Sequence, residues 1–252
     1  IPLLEIFVND YFFILRFLLK KYNVYGMIIF VIVYFYRSNI MERLLTRWGK
    51  TLNKELPLND YPRPQMRRDS FINLNGEWNY AIYDEYKKFA GYQGKITVPF
   101  SPECILSGVE KIVEPTDILY YQKFFDFKRT NHRVLLHFGA VDYESYVYVN
   151  GKEAYHNVGG YIGFDIDITS FVKRGEENII TVCAIDGHPA NKASGKQSKN
   201  YYSMGCDYTR TTGIWQTVWL EYVEQNRIEY VKYYPSAEQK NVQMEICVKG
   251  SD

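Results

Sequence analysis

Asn150 and Gly151 stand between two strand-like runs, and this dipeptide constrains the fold more than any other short feature of the chain. A two-residue loop of this kind needs positive φ at both positions, which Asn and Gly accept, and its turn matches the twist of two antiparallel strands. The run before it, Tyr143 to Val149, is rich in aromatic and branched residues, as strands favour. Comparable runs occupy Tyr120 to Phe127, Arg133 to Phe138 and Ile179 to Ile185, and shorter ones follow Leu74 and cover Ile96 to Phe100. Phe164 to Ile168 alternates strictly between apolar and acidic residues, the pattern of a strand with one face buried and one wet. Gly187 to Asn200 is a long polar loop, and helical periodicity is almost absent. Many short strands at this spacing predict an all-β fold, an antiparallel jelly-roll β-sandwich.

The 252 residues are enough for one large domain or for one domain with pieces of others. Thirty basic groups against 29 acidic ones give a formal charge of +1, which offers no electrostatic footprint for nucleic acid. The 24 tyrosines fit a β-rich protein, and a sugar-stacking surface is the sharper alternative. Four cysteines, at 104, 183, 206 and 247, lack any CxxC spacing or neighbouring histidine pair, so neither a zinc site nor another cofactor is expected. Cys183 sits in an apolar run and reads as a buried thiol. The lack of a disulfide framework favours a reducing, cytoplasmic setting.

The two ends differ from the middle. Residues 1–40 are hydrophobic, and Tyr22 to Tyr36 carries no charge but falls short of the length of about 20 residues that spans a bilayer. Three readings stay open for this extension: a membrane anchor through 22–36, a docked helix, or upstream sequence ahead of a natural start at Met41. Residues 41–65 form an arm, beginning with a short helix such as Met41 to Gly49, with the glycine as its stop. Tyr61-Pro62-Arg63-Pro64 must then be extended. The sandwich is assigned to 66–224. Within 225–252, Arg227 to Tyr234 and Asn241 to Val248 read as two strands of a further, incomplete domain, since two strands alone are marginal.

Cys206 to Glu221 concentrates the candidate chemistry. Ile214 to Leu220 reads as a single strand buried on most of its surface, with Trp215 and Trp219 as core or interface rings. Asp207 to Thr212 is a polar loop feeding that strand, and a loop held by a rigid sheet is a favoured place for recognition residues. Asp207 leads the candidates; the alternative is that it caps its own loop. Arg210 is a candidate for orienting Asp207, or else a surface arginine. Tyr208, with Tyr201 and Tyr202, is placed to stack on sugar or to pack locally. His156 is a further candidate, though a lone histidine near a strand end is commonly a packed residue.

An ordered set of motifs then carries a resemblance. Tyr61 to Gln65 (YPRPQ), Leu74 to Trp78 (LNGEW), Val98 to Glu103 (VPFSPE), Leu135 to Glu153 (LLHFGAVDYESYVYVNGKE), Gly159 to Thr169 (GGYIGFDIDIT), Gly195 to Gln197 (GKQ) and Thr212 to Glu221 (TGIWQTVWLE) resemble the N-terminal sugar-binding domain of family 2 glycoside hydrolases, the β-galactosidase and β-glucuronidase group. The resemblance covers about Tyr61 to Glu221. It implies a jelly roll of the galactose-binding type, followed by an immunoglobulin-like domain whose first strands begin after 224, and then a catalytic barrel. The retaining mechanism needs two carboxylates roughly 5 Å apart, and in this family both stand on the barrel. Glu77, Asp165 and Asp167 therefore read as solvated strand or turn positions. For Asp207, six residues before Gly213, the resemblance implies a reach into the barrel's site to accept hydrogen bonds from sugar hydroxyls. The expected partners are carbohydrate, the downstream domains and further copies of the chain. The expected function is a non-catalytic domain of a retaining glycosidase acting on β-linked sugars; a free-standing or membrane-tethered carbohydrate-binding module and an assembly domain are the alternatives.

Overall fold

In the computed structural model, which describes residues 45–127, 132–187, 192–199 and 202–250, Asn150 and Gly151 take φ values of 52° and 79°. They close the hairpin between β7 (Glu144–Val149) and β8 (Lys152–Val158). The hydrophobic extension 1–40, with the apolar run 22–36, lies outside the described residues. Among the described residues, no helix is long and apolar enough to cross a membrane. The chain divides into two compact units, 1–51 and 52–252. What is described of the first is a single helical turn, α1 (Arg47–Lys50), capped by the Thr46 hydroxyl, which accepts from the Gly49 N–H at 3.0 Å. Gly49 lies inside this turn rather than ending a longer helix. The expected helix is corrected accordingly: it starts after its N-cap Thr46 and ends at Lys50, one residue past the glycine.

The second unit is a two-sheet β-sandwich of the expected jelly-roll type. One sheet contains β2 (Gly76–Asp84), β3 (Gly94–Val98), β4 (Asp117–Asp126) and β10 (Glu177–Ile185) together with β7 and β8, in the order β3, β2, β4, β10, β7, β8. The facing sheet contains β1 (Ile72–Asn73), β5 (Arg133–Phe138), β9 (Phe164–Asp167) and β12 (Val218–Val223), in the order β1, β12, β5, β9. Every named pairing is antiparallel. Period-two alternation fixes which side chains enter the core. In β10, Asn178, Ile180, Val182 and Ala184 are buried while the residues between them are partly open. Trp78, Leu119, Tyr121, Val147 and Ile180 meet Val134, Leu136, Phe138, Ile166 and Leu220 from the other sheet. Each such apolar side chain contributes roughly 1.5–3 kcal/mol on burial.

The four-stranded sheet is buried on its outer face as well. Leu135 and His137 alternate with the core residues of β5, yet both are buried, and the arm reaches His137 through Arg63, whose Nη2 lies 3.1 Å from its Nδ1. Tyr61 Oη donates to Glu221 Oε1 at 2.6 Å, Arg68 pairs with Glu221 Oε2, and Trp219 Nε1 donates to Glu221 Oε1 at 3.1 Å. His137 stacks on Trp219, with ring centroids 4.7 Å apart, and places Nδ1 2.5 Å from Asp165 and Nε2 3.3 Å from Glu221. Arg63 closes the network beside His137 and Asp165. Asp165 and Asp167 are open to solvent as expected, with side chains 45% and 31% exposed, and each is also paired, Asp165 with His137 and Arg63 and Asp167 with Arg133. The Glu221 side chain is fully buried, and a carboxylate so placed requires this set of donors.

Ile214 to Leu220 is likewise two pieces rather than one strand. β11 (Gly213–Ile214) pairs with β6 (Val141–Asp142) in a separate ribbon, and β12 starts only at Val218. Gly213 takes φ of 75°, and a Cβ there would lie 2.3 Å from Tyr121 Oη, so this corner needs glycine. After β12 the chain forms a hairpin of β13 (Arg227–Ser236) and β14 (Asn241–Lys249), which leaves Ile228, Tyr230, Tyr233, Val242, Met244, Ile246 and Val248 exposed. Arg68 also donates to the Ile228 carbonyl.

Candidate functional site

The β6–β11 ribbon carries a carboxylate to one end of the sandwich. Asp142 is the last residue of β6 and is buried, and the wall opposite it is shaped to fit. A Cβ on Gly160 would lie 2.3 Å from Asp142 Oδ1, so only a glycine lets the carboxylate sit there. Gln197 satisfies it from the long polar loop. Its Nε2 donates to Asp142 Oδ2 at 2.8 Å and to the Tyr161 hydroxyl at 3.3 Å, and its Oε1 accepts from the Thr211 N–H at 2.9 Å. The loop is clipped to the segment leading into β11 by two backbone bonds, Tyr208 N–H to the Lys196 carbonyl and Ser198 N–H to the Tyr208 carbonyl, both 2.8 Å.

These residues enclose a cleft of about 300 Å³, lined by Asp142, Tyr161, Ser194, Gly195, Lys196, Gln197, Tyr208, Thr209, Thr211 and Trp215. That is the lower end of the range for small-molecule sites. Trp215 Nε1 donates to the Gly160 carbonyl at 2.7 Å, and the Trp215 ring meets Tyr161 edge-on, with centroids 5.9 Å apart. Near Asp142, outside the lining, Asp186 accepts from Arg210 Nη2 at 2.6 Å and from Thr212 Oγ1 at 3.4 Å, and it also pairs with Lys192. Burial pushes the Asp142 carboxyl up to about 6, although Gln197 donates to the charged form; Asp186 adds to the rise, while Lys192 and Arg210 oppose it. Glu103 lies nearby, also raised by burial, with Oε2 accepting from the Thr212 N–H at 3.3 Å. The chemistry available is that of a recognition site: one desolvated carboxylate, an amide that holds it, and an aromatic wall.

The model for the glycosyl hydrolases family 2 sugar binding domain matches residues 98–223, half of the chain. The chain belongs to this family. The family 2 domain is 28% identical over 179 residues to the β-galactosidase of Thermoanaerobacter pseudethanolicus, covering 67% of this chain and 23% of that protein. Its fold is similar to that of the Faecalibacterium prausnitzii β-glucuronidase, with a TM-score of 0.56, 21% identity, and coverage of 76% of this chain and 37% of that one. It is also similar to a β-galacturonidase from Eisenbergiella tayi bound to galacturonate, with a TM-score of 0.53 and 19% identity, covering 75% and 31%. The chain spans 23% of the length of that β-galactosidase and 11% of that of a putative β-glucuronidase from Formosa agariphila, to which it is 36% identical over 97 residues, 38% of this chain.

The candidate residues of the family 2 domain are placed unevenly. Tyr208 lines the cleft, and Asp207 stands next to it, exposed, in a turn closed by its own N–H donating to the Met204 carbonyl at 3.1 Å. Arg210 is no surface residue. It is buried and serves Asp186 rather than Asp207. His156 does not line the cleft; its ring stacks on Tyr146 at 4.3 Å and its Nε2 lies 2.9 Å from Glu144. Tyr202 is exposed and outside the lining, and Tyr201 lies outside the described residues. Sequence reasoning missed Asp142, Gln197 and Asp186. The available signal was an acid in the apolar Val141-Asp142 step and another at the close of β10, where burial demands a partner. All four cysteines are free, and burial pushes the Cys183 thiol up to about 11. Among the described residues, no cluster of His, Cys, Asp or Glu could hold a metal ion.

Proposed function

We propose that this chain is the non-catalytic sugar-binding domain of a retaining glycoside hydrolase acting on β-linked sugars, with no hydrolytic activity of its own. The observation that carries the reading is the cleft at the loop end of a family 2 domain, in which a buried carboxylate, an amide and a tryptophan converge. Such a set suits a pyranose, whose hydroxyls donate to carboxylate and whose C–H face rests on an aromatic ring. Asp207, exposed beside Tyr208, is the group that extends from this end toward a catalytic barrel. The paired carboxylates that cleave the glycosidic bond belong to that barrel. The β13–β14 hairpin is the start of an immunoglobulin-like domain, a reading supported by its uncovered apolar side chains. The four free cysteines support a reducing, cytoplasmic setting.

Incubation with nitrophenyl β-galactoside and nitrophenyl β-glucuronide checks the activity. The expected result is no turnover, and robust turnover abolished by a point change within the chain would sink the proposal. Ligand-detected NMR against simple methyl glycosides checks the cleft. A binding signal that disappears in Trp215→Ala supports sugar binding there, whereas an unchanged signal in that variant places any binding elsewhere. Binding by the chain alone at micromolar affinity would favour the second reading, a free-standing carbohydrate-binding module.

A further inference from the structure

We propose that the cleft selects a neutral pyranose over a hexuronate, and that Asp142 makes the selection. The inference rests on the sugar-binding reading of the cleft. The wall is built around the Asp142 carboxylate, because Gly160 leaves no room for even a methyl group beside Oδ1. The group that satisfies this carboxylate inside the cleft is the neutral amide of Gln197. Two of the nearby cations are engaged outside the lining, since Arg210 and Lys192 both pair with Asp186, and the cation of the lining, Lys196, lies over the Tyr208 ring with Nζ 5.9 Å from its centroid rather than on Asp142. A sugar hydroxyl entering here donates to Asp142 in a charge-assisted hydrogen bond. A sugar carboxylate entering here meets a like charge on a carboxylate that is itself buried, where repulsion is screened less than at an open surface.

The arrangement has a pH signature. Among the described residues, the charged groups that act on Asp142 are Asp186, Lys192 and Arg210, with Lys196 in the lining and the phenols of Tyr161 and Tyr208 beside them; no described lining residue is a histidine. Because Asp142 titrates near pH 6, acidification removes both its attraction for hydroxyl donors and its repulsion of carboxylates.

The experiment is an NMR titration of the full chain with methyl β-D-galactopyranoside and with methyl β-D-glucuronide, at pH 7.5 and pH 5. At pH 7.5 the galactoside is expected to bind at least about tenfold more tightly, a modest share of what like-charge contact costs. At pH 5 the gap narrows from both sides. Asp142→Asn, which keeps the shape and removes the charge, is expected to admit the glucuronide at pH 7.5 and to erase the pH dependence. Equal or tighter glucuronide binding by the unaltered chain at pH 7.5 overturns the selection while leaving sugar binding standing. An unchanged ratio in Asp142→Asn does the same. Binding of neither sugar at either pH overturns the sugar-binding reading itself, and the inference with it. The pH comparison on the unaltered chain holds even if the variant fails to fold.

Discussion

At the residue scale, the cleft depends on a missing side chain as much as on those present. Gly160→Ala would drive a methyl group into the Asp142 carboxylate, and overpacking of this kind costs about 1–3 kcal/mol. Urea unfolding should show that loss, and sugar binding in the cleft should vanish with it. Arg210→Ala is expected to cost about 3 kcal/mol, the lower end for a broken buried pair, because Lys192 still reaches Asp186. Denaturant unfolding of the single variant and of Arg210→Ala with Asp186→Asn separates the two causes, since the double variant should recover part of the loss. These residues were hard to find in the sequence for a physical reason. Asp207 and Tyr208 announce themselves in a polar loop, whereas Arg210 and Asp186 are 24 residues apart and Gln197 and Asp142 are 55 apart. No local pattern links partners brought together by folding.

At the element scale, the strands were legible because burial on one face writes a period of two into the sequence. The legibility failed where both faces are covered. Trp219 reads as a core or interface ring and is buried, but nothing in the sequence marks His137 and Glu221 as its buried polar neighbours, which the arm helps to enclose. The electrostatics of this enclosure predict an acid limb. Burial works to raise the Glu221 carboxyl, but His137, the Tyr61 hydroxyl and Arg63 outweigh it and hold the group well below the usual range. Asp165, through His137 and Arg63, and Asp167, through Thr169 and Arg133, are also held down against their burial. A carboxyl depressed in the folded state binds fewer protons there than when unfolded, so stability is full above its unfolded value and falls as acid is added. Stability should therefore decline as pH drops below about 4.5. Glu221→Gln should be less stable at pH 7 and show a flatter decline, as thermal melts across pH 2.5 to 7 would reveal. Asp142 works in the opposite sense: raised in the fold, it favours the folded state below its unfolded value, and that contribution is lost as pH rises through about 6.

At the scale of the whole molecule, the sandwich satisfies itself and the hairpin beyond it does not. Ile228, Tyr230, Val242, Met244, Ile246 and Val248 stand exposed on two strands, and contiguous apolar surface of this kind drives association. Light scattering should find the full chain self-associating more strongly than a version ending at Gln225. The reverse order would show that the sandwich itself carries the association.

The two-way hold of Arg68 bears on where such a shortened version begins. Arg68 grips the buried Glu221 and the Ile228 carbonyl at once, and Tyr61 and Arg63 complete the same enclosure from the arm. A protein started at residue 66, the natural place to cut if the arm were only a leader, would keep the buried acid and lose two of its guardians. The protease-resistant limit of this domain is therefore expected to lie before Tyr61, so that the arm behaves as a seam of the sandwich and not as its fringe.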